Sequence, residues 1–120
     1  MIKYDILEKN GNKYILFSTS QTPLAPGADV LTILSAAYEG DTQLALFCGE
    51  AVSDDFLRLQ TGIAGEVMQN CVNYHIKAAF VIEKKRPLSD RFKELIYEMR
   101  TNNTLRFFAD KDKAEEWLLG

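Results

Sequence analysis

RLQTGIAGEVMQNCVNYHIKAAFVI, residues 58–82, is the stretch on which the fold turns. Ile63, Val67 and Cys71 recur at helical spacing, with Ala64, Met68 and Val72 beside them. That periodicity predicts an amphipathic helix. KAAFVI, 77–82, runs apolar without a break from Ala78 to Ile82, which is strand length and the pattern of a strand buried on both faces. A helix feeding directly into such a strand is the repeating unit of an α/β sheet.

Upstream, Ile2, Tyr4 and Ile6 alternate with Lys3 and Asp5, which predicts a half-buried strand. Asn10-Gly11 supplies the positive φ angles of a tight hairpin, and KYILFS continues as a second strand. Its run Tyr14–Phe17 is apolar on both faces, so it is placed inside the sheet. TSQTPLAPG, with Pro23, Pro26 and Gly27, reads as a loop. From Ala28 the period is helical, with Val30, Leu31, Ile33, Leu34 and Ala37 inward, and Gly40 is expected as the left-handed cap. LALFC is a short buried strand. A helical region then spans about Asp54 to Tyr74, with a break at Gly62.

Downstream of KAAFVI comes the polar run EKKRP. Ser89 and Asp90 begin a helix through about Arg100, whose core stripe is Phe92, Leu95, Ile96 and Met99. LRFFA is the fifth strand. Asp110 caps a last helix that turns Ala114, Trp117 and Leu118 inward. The order β-β-α-β-α-β-α-β-α predicts one α/β domain over residues 1–120: a mixed five-stranded sheet, with an N-terminal hairpin, then parallel strands, and about four helices.

Composition narrows the function classes. The chain has 120 residues, 47% hydrophobic and 26% charged, ordinary for a globular domain. A net charge of −3 disfavours non-specific nucleic-acid binding, which neutralises many phosphates with Lys and Arg. No apolar run is long enough for a membrane span. Charged residues interrupt the N-terminus where a signal peptide needs an apolar stretch, so the expected location is cytoplasmic. Cys48 and Cys71 lie far apart among apolar neighbours and read as reduced core thiols.

The polar residues offer few chemical constellations. Gly62 and Gly65 precede a helix, but a phosphate-binding loop also needs a Lys and a following Ser or Thr, and these are missing. The expectation is that Gly65, with Ala64, lets the helix approach the sheet, while Thr61 caps or breaks it. Glu50, Asp54 and Asp55 are close enough in sequence to suggest a hard cation. Ser53 followed by two acids is, however, ordinary helix-start chemistry. His75, the single histidine, is expected to meet free carbonyls at a helix end. Lys84, Lys85 and Arg86 read as a solvated loop. No motif implies a metal or cofactor. Thr61, Gly62, Glu66 and Ser53 are left as binding or switch candidates.

The segment SDDFLRLQTGIAGEVMQNCVNYHIKAAFVI resembles the bacterial domain-of-unknown-function 4180 family, whose pattern is D-F-x-x-L-x-T-G-[IL]-A-G-E followed by V-N-Y. Here these are Asp55, Phe56, Leu59, Thr61 through Glu66, and Val72 to Tyr74. ADVLTIL, YEG and FFADKDKAEEWL extend the resemblance over nearly the whole chain, and the proline-rich loop departs from it. The element order is also similar to the STAS fold of anti-sigma-factor antagonists. In those proteins a Ser or Thr before Gly-Leu begins a helix and is phosphorylated to control partner binding. Thr61-Gly62-Ile63 is similar in type. The resemblance implies a non-catalytic regulatory or protein-interaction domain with an unidentified protein partner. The alternative is a small-molecule binder or enzyme using the crevice around Thr61 and Glu66. The first strand, at the sheet edge, makes a homodimer a further candidate.

Overall fold

The computed structural model describes residues 4–17 and 30–120, the side chains of 30–32 and 50 aside. Ile2 and Lys3, the proline loop 19–27, the helix start at Ala28 and the inward positions Val30 and Leu31 lie outside that description.

β1 (Asp5–Lys9) and β2 (Asn12–Phe17) form the expected hairpin. Lys9 faces Asn12, and between them Asn10 and Gly11 both have positive φ, 55° and 81°. Two such residues make the turn whose twist matches the strands it joins. β3 (Leu44–Phe47), β4 (Lys77–Val81) and β5 (Leu105–Phe108) follow in parallel, in the sequential order β1-β2-β3-β4-β5.

Crossovers of one hand, each stepping to the next strand, carry their helices to one face of a sheet. α1 (Val30–Gly40), α2 (Asp54–Leu57), α3 (Ile63–Asn73) and α4 (Asp90–Met99) share such a face with Ile15, Phe17, Ala45, Phe47 and Phe80. α5 (Lys111–Leu119) covers the other, over Leu16, Leu46, Ala79 and Val81. Successive residues of β3 and β4 therefore enter opposite cores, which is why these strands, apart from Lys77 at the start of β4, are apolar.

Register sets Phe17 beside Phe47, Phe47 beside Phe80 and Phe80 beside Phe107. The rings stack across four strands at centroid distances of 4.7, 4.9 and 5.3 Å. Phe56 from α2 and Phe92 from α4 close over them. Both are fully buried, so this aromatic layer anchors the loops that follow β3 and β4.

The break expected at Gly62, which has φ 79°, divides the long helical region, so five α-helices lie among the described residues. Two expectations are corrected. Gly40 does not take the left-handed cap; Asp41 does, at φ 49°, with Thr42 N–H donating to Ala37 and Asp41 N–H to Tyr38. Gly40 is glycine for space, since a Cβ there would lie 2.8 Å from Ile15 Cδ1. Gly65 is the reverse: it is exposed, and a Cβ would meet nothing within 4 Å. Ala64 is the small residue that packs inward.

Candidate functional site

The loops beyond the carboxyl ends of parallel strands are where an open α/β sheet engages ligands. After β3 the chain turns at Gly49, φ 59°, into a short 3-10 turn that buries Ala51 and Val52. Ser53 then caps α2, its Oγ accepting from Phe56 N–H at 3.1 Å. Asp54 and Asp55 occupy the first turn, as their charge favours. Asp54 also pairs with Arg86 Nη2 at 2.9 Å, and Asp55 with Arg58 at 3.1 Å. Among the described residues no group of three potential ligands is placed to hold a metal ion.

Arg86 is a correction to the solvated-loop reading. Lys84 and Lys85 are exposed, but only 20% of the Arg86 side chain is. It reaches from the loop after β4 to the loop after β3, donating to the Val52 carbonyl as well as to Asp54. The two carboxyl-end loops are thereby tied together. Charge pairs of this sort are not visible in sequence, since the partners stand far apart in the chain.

Thr61 ends a 3-10 turn, Leu59–Thr61, between α2 and α3. Its side chain is exposed, yet its hydroxyl is engaged with three backbone groups. Oγ1 lies 2.7 Å from the Asp55 carbonyl oxygen and 2.8 Å from that of Arg58, sharing its one proton between them. The same oxygen accepts weakly from Ile63 N–H at 3.4 Å. Gly62 adds the left-handed residue that lets α3 start in a new direction, and its carbonyl accepts the first bond of that helix from Glu66 N–H. The hydroxyls of Ser53 and Thr61 both hold backbone.

The structure thus brings Ser53, Thr61 and Gly62 into one continuous connection, with Glu66 half-buried on the first turn of α3. Shallow cavities are lined by Lys9, Asp112 and Glu115; by Leu59 and Gln60 of the connection with Arg91 and Leu95 of α4; and by Leu34, Tyr38, Tyr74 and Ile76. Thr61 and Glu66 line none of these three. His75 stands away from the connection. Its backbone, at φ 56°, closes α3 through His75 N–H to Val72 and Ile76 N–H to Cys71. Burial pushes the Cys71 thiol up to about 12, so it is a core side chain and no nucleophile.

No helix among the described residues is long and apolar enough to cross a membrane. No curated protein and no solved structure matches the chain. The family model described as Domain of unknown function (DUF4180) matches residues 9–118. With nearly all of its length covered, the chain belongs to that family.

Proposed function

We propose that this protein is a non-catalytic regulatory domain of the cytoplasm that binds a protein partner through the α2–α3 connection, with Thr61 as its switch. The observation that supports this most is the double use of one exposed hydroxyl. Thr61 is accessible to a modifying enzyme, and its proton holds the turn closed against the Asp55 and Arg58 carbonyls. Phosphorylation would remove that proton and set anionic oxygens against two carbonyl oxygens, so the turn would have to open. The element order, similar to that of anti-sigma-factor antagonists, supports the same reading by fold analogy. Ser53, whose oxygen caps the start of α2 ahead of the connection, is a weaker candidate.

The alternative of a small-molecule site at Thr61 and Glu66 has less support, because the Thr61 hydroxyl is committed to backbone. Affinity capture from cells that make the protein naturally, with mass spectrometry of the Thr61 peptide, tests the proposal. The expected result is a partner retained by one phosphorylation state and released by the other. Unmodified Thr61 together with capture that Thr61→Glu leaves unchanged would refute it.

A further inference from the structure

Among the described residues β1 lies at the sheet edge, with β2 as its neighbour. Residues flanking a two-residue hairpin loop exchange their backbone hydrogen bonds, so Lys9 and Asn12 are such a pair. Antiparallel pairing alternates along the strand. Lys9, Leu7 and Asp5 therefore turn their N–H and C=O groups toward β2, while Ile6 and Glu8 turn theirs outward.

We propose that two copies of the chain join through β1, antiparallel and centred on Leu7, into one continuous sheet. In this register Ile6 stands opposite Glu8 of the second copy, so outward backbone groups meet outward groups. Asp5 stands opposite Lys9 of the second copy, and Lys9 opposite its Asp5. These are non-hydrogen-bonded positions, where facing side chains come closest. Leu7 meets its own copy at the axis. Ile6, 38% exposed in the single chain, lies diagonal to its copy and within reach of it.

Charge chooses among the registers that backbone parity allows. Centring on Ile6 keeps the backbone bonds but sets Asp5 against Leu7 and Glu8 against Tyr4, opposing no unlike charges. The sheet's other edge, β5, reads LRFF and carries one charge, Arg106, with no complement on its own strand. Edge charges ordinarily discourage pairing. In DILEK the signs are self-complementary under a two-fold axis, so they select one partner geometry and reject slipped ones. Lys9 already meets Glu115 on its own chain. Two strands of 5 residues make a small interface, which places the association in the weak class.

Sedimentation equilibrium of the full chain, from about 10 μM to about 1 mM, is the test. The mass is expected to rise from monomer toward dimer. Asp5→Lys alone and Lys9→Glu alone each weaken association at least tenfold, because each opposes like charges, and an equimolar mixture of the two recovers it. Ile6→Pro removes an outward N–H without touching the β1–β2 ladder and abolishes the dimer, with melting curves confirming that each variant is folded. A wild-type chain that stays monomeric, a dimer that ignores these changes, or a mixture that fails to pair would each overturn the proposal.

Discussion

The hydroxyl of Thr61 closes on the carbonyl of Asp55 at 2.7 Å, binding the last residue of a 3-10 turn to the helix before it. The Arg58 carbonyl shares the same proton at 2.8 Å. This surface side chain ties the turn before α3 to α2, so a change at one oxygen reaches the backbone on both sides of the turn.

Two glycines are expected to respond in opposite ways to alanine. Gly65→Ala should raise stability by about 1 kcal/mol, the helix-propensity difference, since the added methyl enters open space. Gly40→Ala should lower it by about 1 kcal/mol, because Ile15 must move within a core where it is 1% exposed. Urea midpoints of the two variants decide this. A destabilised Gly65→Ala would mean that the outward face of α3 is covered.

Acid sensitivity should trace in part to Glu115. Its hydrogen bonds from Lys9 and then Tyr14 hold the carboxyl below its ordinary value. A carboxyl with a depressed folded value stabilises the fold above its unfolded value, near 4.5. That contribution is lost as pH falls through the folded value. Glu115→Gln should therefore be less stable than wild type at pH 7, with the difference shrinking as pH drops below the ordinary carboxylate range. A difference that grows on acidification would contradict the assignment.

The thiols should separate in reactivity. Cys71 is fully buried, with its thiol pushed up to about 12, whereas Cys48 is half-buried and the neighbouring Lys111 partly offsets the rise that burial causes. In the native protein a chromogenic disulfide should label Cys48 slowly and leave Cys71 untouched until the chain unfolds. Equal labelling rates would show that the α3 face opens readily.

Much of this fold was legible because its signals are local. Asn10-Gly11 carries its own turn chemistry, Ser53, Ser89 and Asp110 cap the helices that follow them, and apolar runs mark strands buried on both faces. The orientation of Gly65 was also available in principle. At about 100° per residue it sits roughly 200° from Ile63, off the face that Val67 and Cys71 continue. What sequence does not carry is contact across the sheet. Arg86 meets Asp54 at a separation of 32 residues, so its role depends on β3 and β4 being neighbours. The close fit of Gly40 against Ile15 likewise belongs to the α1–β2 crossing and not to the helix end alone. For the candidate site, residue types at 61 and 62 marked the position, but the committed Thr61 proton is a property of the folded turn.

Hydrogen exchange of the chain carrying phosphothreonine at position 61, compared with the unmodified chain, tests the switch most directly. The account predicts faster exchange at Arg58, Thr61 and Gly62, whose N–H groups bond Asp55, Arg58 and Leu59, with β3 and β4 unchanged. Equal protection of those three amides in both forms would contradict it.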